Sequence, residues 1–207
     1  MFHFPNLKWT ALQAESIGVP LLTEQTEGVK EEELADLERV LSNAKGRFGL
    51  EGIYTGALAS VYQKTRVERI CSRLSLKCIS PLWGADPEAY LRRLAAEGFA
   101  VIVVSVSALG LDQTWLGRRL DGPNIDELVA LGRRFRFHVG LEGGEGETFV
   151  LDAPFFSKRI EVLSSEKHWR GDSGYLEITA AALVSKATRE EGAWSRGPNQ
   201  RSSAVPP

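Results

Sequence analysis

The sequence predicts an α/β fold in which a parallel sheet flanked by helices is followed by a small C-terminal α+β unit. Two observations support this fold class. Helix and strand signals alternate along the first two-thirds of the chain with short connections between them, which favours parallel strands covered by helices. Residues 99–106 also form one apolar run rich in β-branched side chains, which is typical of a strand buried on both faces.

The elements of the first half are indicated by hydrophobic spacing and by the glycines between them. Residues 7–17 form a short amphipathic pattern that ends at a glycine, and a strand is predicted at 19–23. A second helix is predicted over 31–44, where apolar residues recur at helical spacing and Gly46 and Gly49 follow. A short strand at 52–55 leads into a third helix over 60–74.

The second half begins with the same alternation and then changes to strands. A strand at 77–79 precedes a helix over 88–97, which is opened by an aspartate at the N-cap and a proline after it. The buried strand at 99–106 follows, and then a helix over 124–135. The remaining strand-like segments cover residues 148–151, 159–163 and 174–179.

The alternation of helices and strands ends after the buried strand, which suggests that the chain is divided into two domains. We expect an α/β domain over residues 1–110 and an α+β substrate-binding domain over 111–185. From residue 186 to 207 glycine, proline, serine and charged residues dominate without periodicity, so this tail is expected to be disordered. Ligands of parallel sheets bind at the carboxyl ends of the strands, which here are residues 56–60, 81–84 and 105–110.

Composition excludes several classes of function. The chain has 207 residues, of which 43% are hydrophobic and 25% charged, with a net charge of −2. This net charge does not indicate a basic surface that would bind nucleic acid or an acidic membrane. The sequence has no run of about 20 apolar residues that would span a membrane, and the N-terminus does not resemble a signal peptide. Cys71 and Cys78 lack the spacing of a zinc site or a disulfide framework, so we expect a cytoplasmic protein without a structural metal.

The most informative segment is the acidic, glycine-rich loop of residues 141–152. Glu142, Glu145 and Glu147 alternate with glycines, including Gly143 and Gly144, directly before an apolar run. Clustered carboxylates repel each other unless a cation or a proton lies between them, so the loop is suited to hold an amine, a metal ion or a proton in transfer. The alternative is a solvated hairpin turn, which would be preferred if the loop stood alone.

The order of several motifs resembles the diphthine–ammonia ligase family. The segment GALAS at 56–60 is followed by Tyr62, Gln63 and Arg66, and the acidic loop EGGEGETFVLD at 142–152 is the most specific match. The resemblance covers about residues 1–185. Between these two motifs lie PLW at 81–83, GF at 98–99, LD at 111–112 and WLGR at 115–118.

This resemblance implies a nucleotide-binding fold and an ATP-dependent ligation. Family members carry a HUP-type (adenine nucleotide α-hydrolase-like) domain and complete diphthamide on elongation factor 2. ATP with Mg²⁺ activates the diphthine carboxylate as an acyl-adenylate, ammonia attacks, and AMP and pyrophosphate leave. The family's Ser-Gly-Gly-Lys-Asp-Ser phosphate loop is absent from this sequence. We therefore expect an incomplete domain with its N-terminal portion lost, poor stability and impaired ATP binding.

The resemblance also assigns expected roles to individual residues. Glu142 and Glu145 are the first choice for binding or deprotonating ammonium, or for holding Mg²⁺, and Glu147 is the second. Nucleotide contacts are expected from Gly56, Ala57, Ser60, Gly143 and Gly144. Substrate contacts are expected from Tyr62, Gln63, Arg66, Trp115 and Arg118.

Simpler structural roles compete with several of these assignments. Ser60 is suited to be an N-cap alone, and Tyr62 with Arg66 to form a solvated helix face. Trp115 is interpreted as a pocket wall, and Arg118 as a partner of phosphate or of the acidic loop. The carboxylates flanking Gly143 and Gly144 would repel phosphate, so these glycines do not replace the missing loop.

Two other functions stay open at this stage. One is a non-catalytic protein, or relic, that keeps the C-terminal ligand-binding domain and binds a protein or small molecule. The other is a deaminase-type small-molecule enzyme, which the absence of an appended domain disfavours. The expected partners are diphthine-modified elongation factor 2 and ammonia, without nucleic acid or membrane.

Overall fold

A computed structural model describes residues 6–24, 26 and 33–186 of the chain. The helices are α1 (Thr10–Ile17), α2 (Glu33–Phe48), α3 (Val61–Arg73), α4 (Pro87–Ala96) and α5 (Gly122–Phe135), with 3₁₀ turns at Leu7–Trp9 and Gln113–Trp115. The strands are β1 (Gly52–Tyr54), β2 (Lys77–Ile79), β3 (Ala100–Val106), β4 (Gly146–Asp152), β5 (Lys158–Arg170) and β6 (Ser173–Ser185). The expected terminal tail lies outside the described residues, apart from Lys186.

The strands form two sheets. β1 and β2 pair in parallel, with Ile53 opposite Cys78, and α3 connects them. The other four strands form an antiparallel sheet in the order β4-β3-β6-β5. The α/β class is confirmed, since a parallel sheet with flanking helices is followed by a small antiparallel sheet.

Local signals in the sequence correctly predicted several element boundaries. Asp86 caps α4 by accepting a hydrogen bond from the backbone N–H of Ala89 (2.7 Å), with Pro87 as the first helical residue. Ser60 caps α3 in the same way, and Gly18 ends α1 in a left-handed conformation with φ 80°. The strand at 77–79 is found where it was predicted.

Two local predictions are wrong. The described residues 19–23 run as irregular chain instead of a strand, and Pro20 provides no backbone N–H for strand pairing. Gly46 lies inside α2, which continues to Phe48 and ends at Gly49, whose φ is 65°. A single glycine lowers the stability of a helix without necessarily ending it.

The placement of β3 in the parallel sheet is also wrong. β3 pairs antiparallel with β4 over most of its length, and with β6 at Ser105 and Val106. Its burial was predicted correctly, since four successive residues, 101–104, are buried and successive side chains of a strand point to opposite faces. The core around β3 contains residues of α4 and α5, with Trp9 and Leu12 packed against it. Both faces of an antiparallel strand are therefore covered here.

The domain boundary at residue 110 stays a prediction. The sheet membership of β3 favours a junction between β2 and α4, because β3 shares its sheet with β4, β5 and β6. No described helix is long and apolar enough to cross a membrane.

The N-terminal helix is attached to the antiparallel sheet by polar side chains. Asn6 donates to the carbonyl of Leu176 (2.9 Å) and accepts from the N–H of Ile178 (2.9 Å), so its amide imitates a neighbouring strand. The Trp9 indole N–H donates to the carbonyl of Ile178 (2.7 Å). Gln13 adds a bond to β4 through the carbonyl of Val150 (2.9 Å), and Ser16 bonds to the start of β5. The bonds of Asn6 and Trp9 satisfy backbone groups of Leu176 and Ile178, which lie beyond the pairing of β6 with β3.

Candidate functional site

Four loops meet at the end of the parallel sheet where β1 and β2 finish. The loop between β1 and α3 is joined to the loop after β2 by the N–H of Gly84, which donates to the carbonyl of Leu58 (2.8 Å). The loop after β3 is joined to the acidic loop by the N–H of Ser107, which donates to the carbonyl of Glu145 (2.8 Å). The predicted convergence of 56–60, 81–84 and 105–110 with the acidic loop is therefore present.

Glu142 connects the acidic loop to the start of α3. Its carboxylate accepts hydrogen bonds from the backbone N–H groups of Leu58 (2.6 Å), Ala59 (2.6 Å) and Ser60 (3.3 Å). These amides belong to the loop that ends at Ser60, the N-cap of α3, where the helix dipole carries a partial positive charge. The half-buried carboxylate of Glu142 supplies the anion that such groups favour.

Tyr90 of α4 lies on the other side of this carboxylate. Burial raises the pKa of the Tyr90 hydroxyl, and the negative charge of Glu142 raises it further. Glu142 thus interacts with both α3 and α4, which flank the junction between β2 and α4 that the sheet membership of β3 favours.

Glu145 stabilises the acidic loop from within. Its carboxylate accepts from the N–H of Gly143 (2.5 Å) and from the N–H of His138 (3.2 Å). A Cβ at Gly143 would lie 2.6 Å from a carboxylate oxygen of Glu145, so a larger residue at this position would have to displace that carboxylate. Gly144 has φ 94°, which favours glycine, and its carbonyl accepts from the hydroxyl of Ser107.

The third carboxylate lies beside β3. Glu147 belongs to β4 and is half-buried, and it pairs with Ser105 in the sheet register. The three glutamates therefore have three different positions: Glu142 at α3, Glu145 inside the loop and Glu147 in the sheet. Their roles in catalysis stay predictions.

The backbone before Glu142 adopts an unusual conformation. Leu141 has φ 58°, although it carries a side chain, and it is 7% exposed. Its N–H donates to the carbonyl of His138 (2.8 Å). A left-handed conformation at a non-glycine residue costs about 1–2 kcal/mol, and it persists where surrounding contacts enforce it. The burial of Leu141 and this turn together aim Glu142 at α3.

The predicted nucleotide residues lie around the same helix start. Gly56 is exposed and Ala57 is buried, and the hydroxyl of Ser60 accepts from the N–H of Gln63 (3.3 Å) as a cap. ATP phosphates would compete with Glu142 for the amides of this loop, so a phosphate does not fit there while Glu142 is bound. Among the described residues, no group of three or more His, Cys, Asp or Glu side chains is arranged to hold a metal ion.

The predicted substrate residues on α3 form one face. The guanidinium of Arg66 lies 3.4 Å from the centre of the Tyr62 ring, and both side chains are half-buried. Gln63 is half-buried beside them, in the first turn after the loop that Glu142 contacts. These residues therefore follow directly on the loop that Glu142 contacts, and their binding role stays a prediction.

Trp115 belongs to the core around the antiparallel sheet, and Arg118 is half-buried beside it. Trp115 is 2% exposed, and the guanidinium of Arg118 packs 4.0 Å from the centre of its ring. Arg118 also donates to Asn124 and to the carboxylate of Glu127 (2.5 Å). These contacts engage Arg118 with α5 instead of with the acidic loop.

Sequence reasoning did not identify three features of the site. The charge effect of Glu142 on Tyr90, the backbone turn at Leu141 and the buried Nδ1 atom of His138 were not predicted. The Nδ1 atom of His138 is buried without a hydrogen-bond partner in the structure as described. None of these features has a signal in the sequence, because helical spacing does not show which helix a loop residue will contact.

Comparison with known proteins identifies both halves of the chain. Residues 1–78 match the model of the diphthamide synthase N-terminal domain, and residues 86–184 match that of the diphthamide synthase C-terminal domain. The two models meet between β2 and α4. Glu142 belongs to the second match, and the amides that it contacts belong to the first.

Relatives named diphthine–ammonia ligase match most of the chain. The protein from Schizosaccharomyces pombe is 38% identical over 186 residues, which are 82% of this chain and 30% of that protein. The protein from Rattus norvegicus is 37% identical over 167 residues, 75% of this chain and 62% of its own length. This chain thus spans less than two-thirds of these relatives.

The relative from Danio rerio is covered more completely. It is 32% identical over 179 residues, which are 81% of this chain and 70% of that protein. With both domain models matched in order, the chain belongs to the diphthine–ammonia ligase family.

Proposed function

We propose that this chain takes part in the ATP-dependent amidation of diphthine on elongation factor 2, with ammonia as the nitrogen donor. The observation that supports this function is the contact of the acidic loop with the start of α3 across the two matched domains. The names of the relatives, diphthine–ammonia ligase, give the reaction. We further propose the cytoplasm as the location.

Glu145 is the residue that we assign to ammonia. Glu142 is bound to three amides of the loop before α3, whereas Glu145 accepts from two amides, those of His138 and Gly143, and is half-buried. A carboxylate can bind ammonium and accept the proton that the nitrogen must lose when the amide bond forms. The face of Tyr62, Gln63 and Arg66 is the proposed contact for the diphthine side chain.

ATP and Mg²⁺ are part of the proposed reaction, but the four loops offer no open phosphate site. The amides of Leu58, Ala59 and Ser60 are filled by Glu142, and the phosphate loop of the family is absent from the sequence. We therefore assign no step through ATP to these residues.

The variant Glu145→Gln tests this assignment. The assay measures amide formation on diphthine-modified elongation factor 2 in the presence of ATP, Mg²⁺ and ammonium. Because general base catalysis contributes about 10²–10⁴-fold, the variant should lose at least about 100-fold in rate. Glu166→Gln, at an exposed position on β5, is the matched control and should keep the rate.

Calorimetry with ATP and Mg²⁺ separates a catalytic defect from a nucleotide defect. Glu145→Gln should bind ATP as the unmodified chain does. Equal amidation by both variants would refute the role of Glu145, and a loss of ATP binding would assign the loop to the nucleotide instead.

A non-catalytic binding protein is the second candidate function. The occupied amides before α3 favour it. It predicts no ATP binding and no amidation, together with saturable binding of diphthine-modified elongation factor 2. Tight Mg²⁺-dependent ATP binding by the chain of 207 residues would exclude it.

A further inference from the structure

The contact of Glu142 with α3 has the geometry of a bound anion. Two of the three N–H···O distances are 2.6 Å, and the two carboxylate oxygens are divided between Leu58 on one side and Ala59 with Ser60 on the other. Hydrogen bonds from N–H groups to an ionised carboxylate are shorter and stronger than those between neutral groups. A carboxylate of the protein itself thus occupies the amide cradle, which we define as the N–H groups of residues 58–60.

The backbone conformation that places the carboxylate of Glu142 is energetically unfavourable. Leu141, directly before Glu142, has a positive φ, and its side chain is buried. Strained backbone of this kind is retained where the surrounding structure enforces it, and it is frequent at functional sites. A solvated turn would not require it.

The acidic loop has attachments on both sides of the candidate site. The backbone carbonyl of Glu145 accepts from Ser107 and Ala108, which follow β3. Glu142 provides the attachment to α3, which carries Tyr62, Gln63 and Arg66. The distance between Glu145 and this face of α3 therefore depends on Glu142.

We propose that Glu142 is a positioning residue, an internal anion that fills the amide cradle and holds the acidic loop against α3. It acts through this contact and does not react itself. An anion that enters the cradle has to displace Glu142, and this would release the loop from α3. The positioning of Glu145 for catalysis rests on the proposed function, whereas the anion contact does not.

Hydrogen exchange tests the contact without any assay of activity. In Glu142→Ala, the backbone amides of Leu58 and Ala59 lose their acceptor, and their exchange should become faster by about tenfold or more. Glu142→Gln keeps the shape but loses the charge and one acceptor oxygen, so its effect should be smaller. Glu166→Ala removes an equally charged but exposed side chain on β5 and should leave these amides unchanged.

Acetate is the probe for the anion. Added to Glu142→Ala, it should produce saturable shifts of the amide resonances of residues 58–60 and slow their exchange again, whereas chloride at equal ionic strength should not. In the unmodified chain and in Glu166→Ala the cradle is occupied, and acetate should cause no saturable shift. If Glu142→Ala does not fold, the exchange of Glu142→Gln and its comparison with Glu166→Gln decide the question.

The activity readout distinguishes positioning from reaction. Acetate should restore kcat to Glu142→Ala but not to Glu145→Gln, because only the first variant has lost a contact that a free carboxylate can replace. Unchanged amide exchange in both Glu142 variants, or the absence of acetate binding to a folded Glu142→Ala, would overturn the proposal. A chain without amidation activity but with the expected exchange would refute the proposed function and leave the anion contact supported.

Discussion

Replacement of Asn6 by alanine should destabilise the chain more than replacement of Thr10 on α1. Asn6 is 5% exposed, and its side-chain amide makes two hydrogen bonds to the backbone of β6. The partners are also buried, with Leu176 4% and Ile178 0% exposed. In the alanine variant, the buried carbonyl of Leu176 loses its hydrogen-bond donor and the buried N–H of Ile178 loses its acceptor.

The cost follows from these two groups. A buried polar group that loses its partner costs about 1–3 kcal/mol, so two groups give about 2–4 kcal/mol if the cavity admits some water. For a chain of this size, 1 kcal/mol corresponds to about 2–4 °C in Tm. We therefore expect Tm to fall by about 4–16 °C, and urea unfolding to give the same loss of free energy.

Thr10→Ala is the matched control. The Thr10 hydroxyl donates to the carbonyl of Leu7 (2.7 Å) through a solvent-exposed hydrogen bond at the start of α1, so its loss should cost no more than about 1 kcal/mol. If Asn6→Ala destabilises the chain no more than Thr10→Ala does, the strand-like contact with β6 does not contribute as described.

Two further predictions concern titratable groups. The hydrogen bond from Arg118 lowers the pKa of Glu127 below 4.5, so this carboxylate stabilises the fold above its unfolded pKa, and the contribution is lost as pH falls through the folded value. The Glu127 side chain is 49% exposed, which limits this contribution to about 1 kcal/mol. On acidification, the Glu127→Gln variant should therefore lose less unfolding free energy than the unmodified chain. Equal losses in the two proteins would contradict the pairing of Glu127 with Arg118. Burial raises the pKa of the Cys71 thiol to about 11, and the side chain is 1% exposed, so iodoacetamide at pH 8 should modify Cys71 in the unfolded chain but not in the native one. Rapid native modification, measured by peptide mass spectrometry, would show that α3 opens in solution.

Local chemistry made the helices and caps predictable from the sequence. Asp86 with Pro87 and the cap at Ser60 act through their own backbone neighbours, so the sequence contains the whole interaction. The partners of β3 were not predictable in this way. An apolar run shows that both faces are covered, but it does not show whether the neighbouring strands run parallel or antiparallel. The pairing of β3 with β4 depends on contacts between distant residues.

The same distinction applies to the site. The sequence predicted that the acidic loop lies beside the carboxyl ends of the sheet strands. The partner of Glu142 was not, because the sequence predicted a ligand for the carboxylate and a second ligand for the amides of residues 58–60. The structure brings the two together. The carboxylate of Glu142 and the amides of residues 58–60 bind each other in the folded chain. The sequence patterns indicated each of these groups separately, so they did not show that the two would pair.

The two matched domains hold each other at two places that differ in strength. Asn6 of the first match is buried against β6 of the second, whereas Glu142 of the second is half-buried against amides of the first. Local unfolding occurs first where the contacts are more exposed and bury less surface. Separation of α3 from the acidic loop should therefore occur while α1 stays on the antiparallel sheet. The candidate site is then the part of the molecule that can open without loss of the fold.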